Sequence, residues 1–405
     1  MTIHIIGGVY REYCVHPRWN QVYGSAGRAA MAIAHMDSPV KLHTYLDPST
    51  LEVFNSEAIW QSTLSVQPTT VAGVVRFDYL HDMAIPRISG LPSAQHAAIE
   101  LTEKRIVRFG MLEGTAVVHA EWAVYDPQNQ NSAEPFGKNG STAKHLALVL
   151  NSWEAAMMAN MPNQPPTVTA PVIAVTQCAE VVIVKMGPEG AFVWTAQGTT
   201  QVPAYKTGNV WKIGSGDCFV AHFAHGWMHD GLSPADAARA ASLATAFYCA
   251  EQRLPTRDDL ACCNFLPIAV SQNYISGQRP QVYLAGPFFD LAQVWMIEQT
   301  QSTLKELGLR VFSPYHDIGL GSADDVVEKD LQGIRSSAML FAIADGLDAG
   351  TIYEIGYARA IGKPVVVYSE RQIEENLKMM QGSGCIICTN YTTAMYTALW
   401  EAAKL

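Results

Sequence analysis

The sequence predicts an α/β protein of two domains, the second a smaller, doubly wound parallel sheet. Three observations predict this. The chain has 405 residues, more than one core ordinarily accommodates. Strand and helix signals alternate along most of it. The alternation stops once, at "AVSQNYISGQRP" (269–280), which is polar, contains Gly and Pro and has no period. It then restarts. The expected organisation is therefore a domain over 1–268, a linker over 269–280 and a second domain over 281–405.

The elements justify this in order. Residues 2–8 are a short apolar strand ending in Gly7-Gly8. "GSAGRAAMAIAHM" (24–36) is rich in small residues with a helical period, and "PVKLHTYL" (39–46) alternates as a strand. "TVAGVVRFDYLHDMAIPRI" (70–88) reads as a strand pair. Segments 114–126, 145–159, 170–175, 181–194 and 214–231 continue the alternation to the end of a layered α/β domain. Beyond the linker come strand 281–286, helix 293–308, strand 310–314, helix 322–337, strand 338–344, helix 351–362 and strand 363–368.

Composition narrows the function. Hydrophobic residues make up 49% and charged residues 16%, a balance of packed domains rather than disorder. The formal net charge of −10, without a basic run, argues against nucleic-acid or anionic-membrane partners. Small anionic substrates would have to be held by local dipoles or a metal. The start, "MTIHIIGGVY", lacks the basic region of a secretion signal, and no run of about 18 apolar residues exists to span a membrane. The eight cysteines are scattered; Cys385 and Cys388 form a lone CxxC, read as buried strand thiols rather than a metal or redox site. A cytoplasmic enzyme is expected.

Chemistry concentrates in two stretches. The first is "DAGTIYEIGYARAIGKPVVVY" (348–368). Ligands of open α/β sheets sit beyond the carboxyl ends of the strands, and three loops reach that edge, in "YLAGPFFD", "FAIADGLDAGT" and "VVVYSE". Asp348 lies in the second loop and Glu354 one turn into the helix it opens, where the helix dipole should favour the ionised form. Such a carboxylate suits attack on a sugar anomeric carbon. Asp330, on the preceding helix, can reach the same edge. The plain alternative is a turn residue at Asp348 and a dipole complement at Glu354.

Residues 281–380, through "YLAGPFF", "KDLQGIRSSAMLFAIADGLDAGTIYEIGYARAIGKPVVVY" and "ENLKMM", resemble the nucleoside 2-deoxyribosyltransferase family. The resemblance implies that Glu354 is the nucleophile of a glycosyl-enzyme intermediate. It implies that Asp348 contacts sugar or base, that Asp330 assists base protonation or positions the nucleophile, and that Tyr283 lines the pocket. Gly286, Phe288 and Gly350 would contact substrate. Asn376 would be donated by a neighbouring subunit, which implies a homo-oligomer formed through this domain. The family includes hydrolases as well as transferases, acting on nucleosides or 5′-nucleotides, and the two outcomes stay open.

The second stretch is "WKIGSGDCFVAHFAHGWMHDG" (211–231). A Gly-Ser-Gly turn opening a helix exposes N–H groups to an anion, and Asp217 follows where it can accept a proton from an attacking hydroxyl. Alone, this reads as a structural turn. Residues 1–265 resemble the PfkB, ribokinase-like kinases of sugars and nucleosides, which implies a three-layer α/β domain using ATP and Mg²⁺. Gly214, Ser215, Gly216 and Asp217 match the end of the family's D-T-x-G-A-G-D, with Asp217 as the implied base. Asn151 and Glu154 match N-x-x-E, which organises Mg²⁺, and Lys185, Gly187 and Gly190 match K-x-G-x-x-G on the nucleotide side. "YDPQN" (125–129) resembles a D-P-N stretch. The acceptor half departs: Trp211 and Lys212 replace Asp and Thr, Tyr23 and Arg28 replace Gly and Asn, and Glu12 replaces the sugar-binding Asp. Arg11, Arg18 and Arg28 are either solvated or suited to an anionic ligand. His222, His225 and His229 share a helical stripe and are read as packing residues.

The expected function is a bifunctional enzyme of nucleoside or nucleotide metabolism. One half cleaves or exchanges an N-glycosidic bond. The other phosphorylates a nucleoside or sugar, or is a degenerate kinase that senses a ligand.

Overall fold

The computed structural model describes residues 1–128, 133–319 and 321–405. It divides into two compact units, Met1–Thr207 with Trp211–Pro267, and Gly208–Val210 with Ile268–Leu405.

The first unit is built on a nine-stranded sheet. Its spatial order is Gly198–Val202, Ala191–Thr195, Val181–Lys185, Thr142–Asn151, Ala116–Asp126, Ile99–Phe109, Ile3–Ile6, Val40–Leu46 and Leu64–Thr70. The first two of these run antiparallel as an edge hairpin, and the other strands pair in parallel. Both faces are covered, so the central strands are apolar throughout rather than alternating with polar residues. The period of two nevertheless divides them between two cores. Ile3, Ile5, Val107, Phe109, Ala147 and Val149 join the core that includes residues of the helices Gly24–Ala34, Ser215–Ala224 and Pro234–Glu251. Ile6, Ile106, Leu146, Leu148 and Leu150 join the other, with residues of Ser152–Met158 and Pro166–Gln177. The small-residue run in Gly24–Ala34 lets that helix lie close to the sheet; Ala26, Ala29 and Ala30 are fully buried. A separate four-stranded sheet, Trp19–Val22, Arg11–His16, Arg76–His81 and Arg87–Ser89, carries Glu12. The expected three-layer α/β domain is thus observed, with this small sheet in addition.

The second unit is a five-stranded, all-parallel sheet in the order Arg310–Phe312, Gln281–Ala285, Met339–Ile343, Val365–Tyr368, Ile386–Cys388. That is the doubly wound order expected from the sequence. The helices Ala323–Ser336 and Ala349–Ala360 pack on the sheet, as does Tyr391–Ala403, which also packs against Leu291–Glu306. Residues 269–280 are not a free spacer: they include the helix Gln272–Ile275, Tyr274 is buried, and Arg279 stacks over its ring at 3.8 Å. Cys385 and Cys388 are buried. Among the described residues, no helix is long and apolar enough to cross a membrane.

Candidate functional site

In the second unit the strand order reverses between Gln281–Ala285 and Met339–Ile343. Loops leaving these two strands diverge and leave a crevice at their carboxyl ends. Tyr283, at the centre of the first strand, is fully buried and stacks on Phe312 at 5.6 Å. Its hydroxyl donates to Glu354 Oε1 at 2.5 Å. The second strand's exit loop reaches Asp348, whose Oδ2 accepts from Thr351 N–H at 2.8 Å and Thr351 Oγ1 at 2.9 Å, capping the helix Ala349–Ala360. Glu354 stands in the second turn of that helix.

Burial pushes the Glu354 carboxyl up to about 7, against the hydrogen bond from Tyr283 and with repulsion from Asp330 and Asp348. The expectation that the helix dipole keeps it ionised is therefore corrected. The dipole acts within the first turn, and Glu354 lies beyond it. Desolvation also holds the Tyr283 hydroxyl far above its ordinary value, so Tyr283 remains a donor. Asp330, on the helix Ala323–Ser336, is raised by burial, and its Oδ1 is buried with no hydrogen-bond partner. Glu354, Tyr283, Asp330 and Asp348 thus form one electrostatically connected group.

The remaining expected residues divide. A Cβ on Gly286 would meet Ile297 Cδ1 at 2.9 Å and Ile343 Cβ at 3.2 Å, so packing alone demands glycine there. A Cβ on Gly350 would lie 3.2 Å from Asp348 Oδ2. Phe288 is half-buried and contacts Tyr315, with ring centroids 5.5 Å apart. Asn376 is exposed on the helix Glu374–Gly382, and its Nδ2 donates to Gln372 Oε1 at 2.9 Å. The sequence reading missed Asp345. Its carboxylate accepts from Ser369 Oγ, Glu370 N–H and Arg371 N–H at 3.0–3.1 Å, clamping the loop after Val365–Tyr368 to the loop after Met339–Ile343.

The first unit holds a cavity of about 630 Å³. At its edge the helix Ser215–Ala224 begins at Gly214, in the left-handed region (φ +77°), with no side-chain cap on its first N–H groups. Uncapped amides at a helix start suit an anion. Lys185 approaches them: a Cβ on Gly216 would stand 3.3 Å from its Nζ, which also lies 3.5 Å from Asp126 Oδ2. Asp126 is fully buried and pushed up to about 7, mainly by desolvation and against the attraction of Lys185; its Oδ1 has no partner. Lys212 Nζ donates to Ser215 Oγ at 3.1 Å.

Asp217 is not open. Its Oδ2 accepts from Arg28 Nη1 at 2.7 Å and its Oδ1 from Gln128 Nε2 at 2.6 Å. Arg28 is 1% exposed and pairs through Nη2 with Glu12 as well. Burial disfavours its charge, but Glu12, Tyr248 and Asp217 outweigh that and hold the guanidinium well above its ordinary value. Gly214 makes the approach sterically feasible, since any Cβ there would sit 2.1 Å from Arg28 Nε. Of the three arginines weighed from sequence, Arg28 is in the site. Arg11 donates to Thr50 Oγ1, and Arg18 is exposed. The reading also missed Arg108, a buried cation on the cavity wall held by Phe136 O at 3.0 Å and Ser141 Oγ at 3.1 Å.

Asn151 and Glu154 form a capping box on the helix Ser152–Met158: Glu154 N–H donates to Asn151 Oδ1 at 2.8 Å, and Asn151 N–H to Glu154 Oε2 at 2.7 Å. The pair therefore has a structural duty besides any metal it holds. Gly187 and Gly190 both have positive φ, and a Cβ on Gly190 would strike Val202 O at 1.9 Å. Trp211 is a core residue beside Trp19, with ring centroids 5.2 Å apart. Asn129, the end of the D-P-N-like stretch, lies outside the described residues.

Comparison with known proteins finds two family matches. Residues 282–388 match the nucleoside 2-deoxyribosyltransferase family, and residues 124–254 match the pfkB family of carbohydrate kinases. A 5-dehydro-2-deoxygluconokinase of Listeria monocytogenes is 28% identical over 191 residues, which is 45% of this chain and 57% of that protein. The chain thus aligns with little more than half of that relative's length. Among solved structures, a nucleoside kinase of Burkholderia thailandensis in complex with inosine is 16% identical, with a TM-score of 0.45 over 64% of this chain and 96% of that one. A ribokinase of Arabidopsis thaliana complexed with ribose and ATP is 15% identical, with a TM-score of 0.46 over 64% and 97%. A ribokinase of Giardia lamblia is 13% identical, with a TM-score of 0.49 over 64% and 99%. This chain is a fusion of a pfkB-family carbohydrate kinase domain with a nucleoside 2-deoxyribosyltransferase-family domain.

Proposed function

We propose that the second unit cleaves or exchanges the N-glycosidic bond of a nucleoside, with Glu354 as nucleophile. The observation that carries this reading is the desolvated Glu354 carboxyl, held by Tyr283 at the strand-order reversal beside Asp330 and Asp348. Ionised Glu354 attacks C1′ of the sugar. The C1′–N bond breaks and its electron pair leaves with the base. Asp330, whose carboxyl is raised by burial, gives that base its proton. The glycosyl ester on Glu354 is then taken by a second base or by water, whose proton passes to Asp330 as the Glu354 carboxylate is freed. Tyr283 fixes the attacking oxygen, and Asp348 holds the helix that presents it. Unphosphorylated nucleosides are the favoured substrates, because Pro287 removes one N–H donor from the loop where a phosphate would seat. A homo-oligomer through this domain, with Asn376 completing a neighbour's pocket, belongs to the same reading.

For the first unit we propose ATP-dependent phosphorylation of a nucleoside or sugar. Asp217 is the base. The uncapped amides at Gly214–Gly216, with Lys185, suit the transferring phosphates. Mg²⁺, which would shield the phosphate charge, fits the carboxylates near Lys185, where Asp126 has an unpartnered buried oxygen and Glu154 is close enough to disfavour its ionisation. A second reading, a kinase-like module that binds its ligand without transfer, is favoured by one observation: both Asp217 oxygens are engaged, one by a buried arginine. For transfer to occur, the acceptor must displace Gln128 or draw Arg28 away.

Three outcomes test these readings. First, Glu354→Gln should abolish base release while stabilising the fold at high pH. The folded value of about 7 exceeds the unfolded value of 4.5, so the carboxyl's favourable contribution is complete below pH 4.5 and lost as pH rises through 7. The variant should be more stable than the parent at pH 8 by on the order of 1–3 kcal/mol, and the gap should close towards pH 5. Urea titrations at both pH values measure it; equal stability at pH 8 contradicts the burial of Glu354. Second, kcat/KM for base release should climb along an acid limb centred near pH 7, and Tyr283→Phe should move that limb upward, since the carboxylate loses a donor. A limb left in place shows that Tyr283 does not govern Glu354. Third, with MgATP and a panel of nucleosides and sugars, products identified by mass decide the first unit. Phosphorylated product that disappears in Asp217→Asn supports transfer, ATP binding without product supports the second reading, and calorimetry showing no ATP binding removes both.

A further inference from the structure

The helix Ser215–Ala224 ends in a π-helical turn over His225–His229. There Asp230 N–H donates to His225 O at 3.1 Å, a five-residue step instead of the usual four. That extra residue has a consequence. In an α-helix His225 and His229 share a face and Asp230 turns away from it; the wider turn brings Asp230 under both rings. Asp230 Oδ2 lies 3.1 Å from His225 Nδ1, and its Oδ1 lies 3.0 Å from His229 Nδ1. One ligand atom from each residue falls within 4.8 Å of the others. Two donors each about 2.1 Å from one ion stand roughly 3–4 Å apart, a spacing that the 3.1 and 3.0 Å contacts of Asp230 with the two Nδ1 atoms match.

Hydrogen bonding points the same way. His225 Nε2 is 2.7 Å from Ser38 Oγ, and Ser38 Oγ–H donates to Met36 O at 3.3 Å. Where His225 donates Nε2–H to Ser38, its Nδ1 presents a lone pair towards Asp230. That lone pair faces a carboxylate oxygen at 3.1 Å. An outer hydrogen bond that fixes the tautomer of a ligating histidine is the usual support of such a site.

We propose that His225, His229 and Asp230 bind one divalent metal ion of the zinc class through His225 Nδ1, His229 Nδ1 and the Asp230 carboxylate. Two imidazoles and a carboxylate suit Zn²⁺, Co²⁺ or Ni²⁺ rather than Mg²⁺. His225 closes the inner side at 2% exposure, while His229 and Asp230, at 26% and 33%, leave an outward position for water. Arg257 is near enough to disfavour charge on His225 and bears on the metal in the same sense. The site is separate from the phosphoryl pocket, because His225 lies eight residues after Asp217 along the helix, about 12 Å of helical rise. The His225 Nε2 contact with Ser38 links this helix end to the Met36–Ser38 turn.

The test uses the full chain without an affinity tag, stripped by chelator and titrated with Co²⁺ and then Zn²⁺. One equivalent of Co²⁺ should bind per chain, with weak visible bands and no thiolate charge-transfer band, and Zn²⁺ should displace it. His229→Gln and Asp230→Asn, both at partly exposed positions, should each weaken binding more than about tenfold (~1.4 kcal/mol) while melting within a few degrees of the metal-free parent. Zn²⁺ should raise Tm of the parent and not of either variant. Binding of Co²⁺ at equal affinity in parent and variants, or no binding by the parent at micromolar metal, overturns the proposal.

Discussion

The second unit depends on a carboxyl group kept out of water. Glu354 is desolvated, shares a proton-rich contact with Tyr283 and faces two further acids. Left to itself, a carboxylate in that position would protonate. The surroundings oppose this only in part. Tyr283, stacked on Phe312 from the strand Gln281–Ala285, donates one hydrogen bond. The balance leaves a group poised near neutrality, able to ionise and weakly hydrated when it does. That is what a nucleophile towards a cationic sugar carbon requires. The parallel strand order, the Asp348 cap and the Asp345 clamp all bear on it by fixing the helix and loops around the crevice.

The first unit turns on the opposite arrangement. There a buried guanidinium, Arg28, sits between two buried acids, Glu12 and Asp217. A desolvated ion group of this kind adds little net stability, yet removing one member strands the others and costs several kcal/mol, on the order of 3–5. Arg28 is therefore hard to substitute and hard to move without a replacement charge. Both Asp217 oxygens are paired, while the helix start beside it is uncapped and has Lys185 close by. A ligand that brings its own anion or hydrogen-bond acceptors to Arg28 would change the state of Asp217 most directly.

Much of this was legible in the sequence, for local reasons. Strands such as Ile3–Ile6 and Thr142–Asn151 show apolar runs bounded by turns, and the helices carry their caps nearby in sequence. Tyr283, Asp330, Asp348 and Glu354 lie within one short unit whose strand order brings them together. Other features resisted reading because their partners are distant. Arg28 and Asp217 are 189 residues apart, and no local pattern joins them. Residues 269–280 looked like a spacer by polarity, yet Tyr274 and Arg279 pack on each other. The capping box at Asn151 and Glu154 is written locally as N-x-x-E before a helix, a pattern that a metal pair would share. The histidine stripe was judged on a 3.6-residue period, and the π turn, which alone brings Asp230 to the histidines, has no sequence signature.

The central claim is covalent, and one measurement addresses it directly. The full chain is incubated with a nucleoside whose sugar carries a 2′-fluorine, which slows release of the glycosyl group more than its attachment. It is then quenched in acid, digested and examined by mass spectrometry. The account predicts one glycosyl adduct per chain, located at Glu354 and absent from Glu354→Gln. Turnover of the parent substrate with no adduct at Glu354, or an adduct on another side chain, would contradict it.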